Sequence, residues 1–172
     1  SIMEFIDAAE AEKDNGLHLN WKYYPEDDHG SVPLITEYDA FRDIFSWYRF
    51  EDIDKFYDPA IELEPAEMID IIEAHYKKIS GRFGYEILPD EFFVNNLGYN
   101  FMNDGKLALS EAAFDLNIKN YPESFNVYDS KGDYYMAAKD SVKALELFLK
   151  AVEVSPNEFS QEKVDMLQSK LK

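Results

Sequence analysis

The chain contains no cysteine. Disulfide staples, thiolate metal sites and cysteine nucleophiles are therefore excluded. No apolar run approaches the roughly 20 residues that a membrane-spanning helix needs, so membrane insertion is not expected. Basic residues are scarce: 17 Lys and Arg stand against 35 Asp and Glu, a formal net charge of -18. A polyanion of this kind repels nucleic acid and anionic membrane surfaces, which removes both as partners. The acidity suits a basic partner, and it serves solubility equally well. What is present is core material. Hydrophobic residues make up 46% of the 172 and aromatics 16%, enough for one ordinary domain or two small units.

The opening, "SIMEFIDAAEAEKDNG", has no basic n-region and no signal-like apolar core. It starts without Met inside a helical pattern, and the expectation is a chain cut from something longer. Residues 2 to 13 read as an amphipathic helix with Ile2, Phe5, Ile6 and Ala9 on one face, closed by Asn15-Gly16. "LHLNWKYY", residues 17 to 24, alternates as a strand, with Leu17, Leu19, Trp21 and Tyr23 on one side and Pro25 closing it. An acidic loop follows, Glu26-Asp27-Asp28-His29-Gly30-Ser31. Pro33 then opens a helix whose apolar stripe is Leu34, Tyr38, Phe41, Ile44, Phe45 and Tyr48. Helix, strand, loop, helix is a piece of an α/β fold, and its remaining strands are expected upstream.

Residues 51 to 88 read as a linker and a bridging helix that starts at Pro65, with Met68, Ile71, Ile72 and Ile79 buried and Gly81 and Gly84 breaking it. From residue 89 a period appears. Gly98 and Gly132, Phe114 and Phe148, Ser110 and Ala144, and Pro122 and Pro156 are each separated by 34 residues. That is the tetratricopeptide period, a helix-turn-helix repeat in which small residues let two helices approach. The repeats run over 91 to 124 and 125 to 158, and 159 to 171 form a closing helix. Lys131 departs from the pattern before Gly132, and Lys139 stands where the first repeat has Gly105. The expected fold is mainly α: tetratricopeptide-like repeats over 89 to 172, preceded by an α/β remnant over 1 to 50.

His29 is the one candidate catalytic residue. In α/β-hydrolases the triad runs Ser, then Asp or Glu, then His, with the histidine on the loop after the last strand. "YYPEDDHGSVPLITEYDAFRDIF" resembles the C-terminal segment of the bacterial esterase family of α/β-hydrolases related to the ferric enterobactin and bacillibactin esterases. Members with a helical-repeat tail look much like this chain. The resemblance implies a serine esterase in which His29 is the general base, Gly30 and Ser31 shape its loop, and Val32 to Leu34 anchor the next helix. It also implies an upstream hydrolase domain of the same protein as partner, in the periplasm or secreted, with the cytoplasm as the alternative. The chain contains no G-x-S-x-G elbow. Nucleophile and acid are thus expected outside it, and the chain by itself is expected to be catalytically incompetent. Asp27 and Asp28 are read as raising the histidine's pKa or solvating the loop.

The other reading of His29 is a surface histidine in an acidic turn. The chain is then a helical-repeat interaction module that binds a peptide or protein partner, with Asn95, Asn100, Asn126 and Asp129 at the inner-helix places. His18 reads as a solvent-facing strand residue and His75 as packed. No H-E-x-x-H or calcium-loop ladder links them, so no metal and no cofactor is expected. A strand at 17 to 24 without neighbours is expected to self-associate, or to collapse onto the helices that follow.

Overall fold

The computed structural model describes residues 1–12, 14 and 16–170. The molecule is mainly helical, and among the described residues there is no β-strand. It divides into two compact units, Ser1–Arg49 and Phe50–Lys172.

In the first unit, α1 spans Ile2–Ala11. Ser1 caps it: its hydroxyl accepts from the Glu4 N–H, and Glu4 returns to the cap backbone, so two otherwise orphaned donors at the helix start are satisfied. Only Ile6 of the expected apolar face is buried, while Ile2 and Phe5 are exposed. Lys13 and Asn15, which the sequence placed at the end of this helix, lie outside the described residues. Residues 17 to 24 form neither a helix nor a strand. The expectation fails for a simple reason: a strand is defined by the ladder it makes with a neighbour, and no described segment supplies one.

Helix α2 covers Val32–Ile44, with Pro33 in its first turn, where a missing N–H costs nothing. A 3₁₀ turn at Ser46–Tyr48 follows. No residue of α2 is buried. The apolar stripe exists, but it points outward: Leu34, Tyr38, Phe41, Ile44, Phe45 and Tyr48 are all exposed. The opposite face of the helix, with Asp39 and Asp43, is the one turned to the segment at 18 to 24. Periodicity predicted a two-faced helix, and the polar face is the one engaged.

The second unit begins with a 3₁₀ turn, Ile53–Phe56, and α3, Pro65–Phe83. Gly81 does not break α3, which continues to Phe83 and ends in a left-handed cap at Gly84. The cost of one glycine within a helix, about 1 kcal/mol, is offset by the burial of Ile79 beside it. Then come α4 Glu91–Asn103, α5 Leu107–Asn120, α6 Phe125–Ala137 and α7 Ser141–Val154. Both ends of α6 lie 34 residues after those of α4, and both ends of α7 lie 34 after those of α5. Helix α8 is Glu158–Lys170. Neighbouring helices pack as hairpins, α4 on α5 and α6 on α7, while α4 also touches α6, α3 lies on α5, and α8 covers α7.

The period has a steric cause. A Cβ on Gly98 would lie 2.6 Å from the ring of Phe114, and one on Gly132 would lie 2.4 Å from the ring of Phe148. Both rings are fully buried. Each glycine therefore lets an aromatic ring of the second helix lie on the backbone of the first. Around these contacts, Phe56, Met68, Ile72, Val94, Leu97 and Phe101 share one cluster, and Ala144, Phe148, Val164 and Leu167 another. In α8, Val164 and Leu167 are buried as expected, Phe159 is exposed, and Leu171 lies outside the described residues.

Two departures from the repeat are accommodated differently. Lys131 is buried where an apolar residue was expected, and its ammonium pairs with Asp115 and lies 5.8 Å from the centre of the Tyr135 ring. Lys139 takes φ +63°, in the left-handed region that Gly105 occupies at +73° in the first repeat.

Two stability predictions follow from these positions. Gly132→Ala lowers the stability of this unit by about 1–3 kcal/mol, since the added methyl overpacks a filled site. Phe148→Leu made together with it costs less than the two single losses summed. Lys139→Gly raises stability by about 1 kcal/mol by relieving a side chain from left-handed backbone. Urea denaturation of the three single variants and the Gly132→Ala/Phe148→Leu double variant measures all of these.

Candidate functional site

His29 stands in a turn that its neighbours build. The Asp28 carboxylate accepts from the Gly30 N–H at 2.8 Å and the Ser31 N–H at 3.1 Å. The Ser31 hydroxyl donates to Asp27 at 2.8 Å and accepts from the Asp28 N–H. Local side-chain bonds of this kind fix a loop in one conformation. Both acids thus take part in the hydrogen bonding of the loop itself. The imidazole of His29 is exposed. Among the described residues it has no hydrogen-bond or ion-pair partner. The described serines of this unit are committed elsewhere: the Ser1 hydroxyl accepts from the Glu4 N–H, Ser31 donates to Asp27 and Ser46 to the Asp43 carbonyl. Among the described residues, no nucleophile and no orienting carboxylate is bonded to this imidazole.

The other polar group of this unit lies between the segment at 18 to 24 and α2. Four alternate residues of the segment reach two carboxylates one helical turn apart. Asp43 accepts from the Nε2–H of His18 at 2.9 Å and also from the Asn20 side chain. Asp39 accepts from Lys22 at 2.7 Å and from the Tyr24 hydroxyl at 2.8 Å. The donors hold both carboxyls below the ordinary carboxylate value, Lys22 chiefly for Asp39 and Asn20 chiefly for Asp43. A cleft of ≈ 710 Å³ opens along this seam. His18 is 79% exposed, so it faces solvent as expected, but it is held at one nitrogen.

His75 is packed, in the second unit. Its ring stacks on Phe50 at 4.1 Å and 9°. Burial lowers its pKa, and the charge of Lys78 adds to the effect. Among the described residues no set of three His, Cys, Asp or Glu side chains is placed to hold a metal ion.

The second unit carries a ladder of polar side chains along its first helices. Asn95, Asp129 and Lys163 occupy the same place in α4, α6 and α8, 34 residues apart. Lys163 donates to Asp129 and to Asp133, both at 2.7 Å, and lies 4.9 Å from the centre of the Phe148 ring. Burial opposes its charge, but the two carboxylates outweigh that and raise its pKa. Tyr99 donates to Asp133 at 2.9 Å, and the Ser160 hydroxyl to Asp129 at 2.7 Å. Asn126 and Ser124 both donate to Glu91. Asn100 is exposed. The Oδ1 of Asn95 is buried without a donor. Sequence reasoning named Asn95, Asn126 and Asp129 here and missed Tyr99, Asp133, Ser160 and Lys163. The signal was available: 95, 129 and 163 share the period, as do 99 and 133.

Comparison with protein-family models, with curated proteins and with solved structures finds no match for this chain.

On the other side of this unit Tyr134 and Tyr135 both donate to Glu111. Burial, then the bond to Glu111, pushes Tyr135 up from 10.0 to about 12. A raised folded-state pKa contributes stability that is whole below the unfolded value and lost as pH rises through the folded one. The melting temperature of this unit is therefore expected to hold up to pH 10 and to fall between 10 and about 12. Tyr135→Phe flattens that fall. A wild-type decline starting well below pH 10, or one unchanged by the substitution, contradicts the assignment.

Proposed function

We propose that this chain is the C-terminal part of a serine carboxylic-ester hydrolase, in which His29 is the general base of the triad. The single observation that carries the reading is the outward stripe of α2. A helix with Leu34 at 73%, Tyr38 at 63% and Phe41 at 62% exposure presents an apolar face that proteins cover. In an α/β domain a sheet face is the surface that covers such a helix. The order strand-like sequence, histidine loop, helix is also that of the last part of an α/β-hydrolase. A rigid turn that presents an unpartnered imidazole fits a base whose nucleophile and acid come from other segments. In that reaction His29 takes the proton of a serine hydroxyl as the hydroxyl attacks the ester carbonyl, and returns it to the leaving alcohol. No cofactor enters.

The second unit is read as a tetratricopeptide-like tail. The equal 34-residue offset of all four helix ends supports this, as do the two ring-on-glycine contacts. With the polar ladder along its first helices, the tail suits docking of a peptide or protein partner. The alternative is that docking is the whole function and the histidine loop has no catalytic role.

The reading frame before Ser1 separates the two. The proposal expects about 200 to 250 residues of alternating strands and helices there, with a G-x-S-x-G elbow and a following acid. In that longer protein His29→Ala lowers kcat for a simple ester by on the order of 10⁴-fold or more. Undiminished turnover, or a frame of further helical repeats, overturns the proposal.

A further inference from the structure

Residues 18 to 23 belong to no helix and are anchored from both sides. The even positions, His18, Asn20 and Lys22, are tied to Asp43 and Asp39 on α2. On the other face the Trp21 indole N–H donates to Glu10 of α1 at 3.1 Å. Alternate side chains are thus anchored in opposite directions, as in a strand. The two backbone edges are left over. Among the described residues no N–H or C=O of residues 18 to 23 makes a backbone hydrogen bond. A short, anchored edge of this kind is a template for strand addition, because part of the entropy of ordering it has already been spent.

The charge pattern selects the occupant. In a chain of net charge -18, residues 17 to 25 contain no Asp or Glu, and their only cationic groups are His18 and Lys22. The carboxylates beside this stretch are already taken up, Asp39 by Lys22 and Tyr24, Asp43 by His18 and Asn20, and Glu10 by Trp21, so two copies bring no unpaired acid together here. A two-fold axis at Trp21 makes the pair antiparallel and self-complementary. It sets Leu19 opposite Tyr23, Asn20 opposite Lys22, and His18 opposite Tyr24. No like charges then face one another, and the alternation of the two faces is kept.

We propose that residues 18 to 23 are a docking edge for a second copy of this chain, added as an antiparallel strand. This goes beyond the ester-hydrolase reading and does not rest on it.

Sedimentation velocity of the 172-residue chain over rising concentration, with amide exchange on the same samples, tests it. The mass is expected to move from 20.0 kDa toward twice that value. Protection at the amides of 18 to 23 should rise in step. Tyr23 is 76% exposed, so its substitutions spare the fold. Tyr23→Pro removes one ladder donor, and Tyr23→Asp brings acids into the pair. Each is expected to weaken the dimer about tenfold or more, because every change counts twice across a two-fold. A chain that stays at 20.0 kDa throughout overturns the proposal. So does a dimer that leaves those amides unprotected and is indifferent to Tyr23→Pro, which would place the contact on the outer stripe of α2 instead.

Discussion

The ring of Phe114 lies on Gly98, and 34 residues later the ring of Phe148 lies on Gly132. Neither contact tolerates a Cβ on the glycine. Each fixes how closely the two helices of a hairpin approach, and hence which residues of the next helix can meet them. Tyr99 packs edge-on against Phe114 at 5.3 Å, and the same Tyr99 hydroxyl reaches Asp133 of the following pair. Lys163 lies over the Phe148 ring and ties α8 to Asp129 and Asp133. The steric contact thus sets the repeat, and the polar ladder follows from it. The burial of Phe101, Phe114 and Phe148, worth about 1.5–3 kcal/mol each, rewards that geometry.

Among its described residues the first unit has no comparable contact. Ile6 is the one buried apolar side chain among them, and the segment at 18 to 24 is joined to α2 by Asp39 and Asp43. Those carboxylates take four donors from one segment and hold it against α2. The same arrangement turns the aromatic stripe of α2 away from the segment. What the second unit buries, the first displays, and its chemistry follows the same division: an exposed imidazole on a self-bonded turn, presented and unpartnered.

The repeat was legible in the sequence because its cause is local in period. Small residue and aromatic recur at fixed offsets, so the 34-residue spacing could be read from Gly98, Phe114, Gly132 and Phe148. Lys139 was visible as the counterpart of Gly105, but its left-handed backbone was not. Other features were not, for physical reasons. Amphipathic spacing shows that α2 has two faces but not which one is covered. Alternation at 17 to 24 shows a chain suited to a strand, whereas a ladder needs a neighbour that the pattern does not contain. Gly81 reads as a breaker until the packing around Ile79 is known. For the site, His29 was found from its place before Pro33. The use of Asp27 and Asp28 by their own loop was not, because hydrogen bonds between adjacent residues leave no periodic trace.

We propose that the apolar face of α2 is covered by the further domain of the proposed ester hydrolase. Amide exchange measures it most directly, with α2 compared to α6 in this chain and in the longer protein. The account predicts that α2 exchanges far faster than α6 here, since none of its residues is buried, and that it becomes as protected as α6 when the upstream domain is present. Equal protection of the two helices in this chain alone would contradict it.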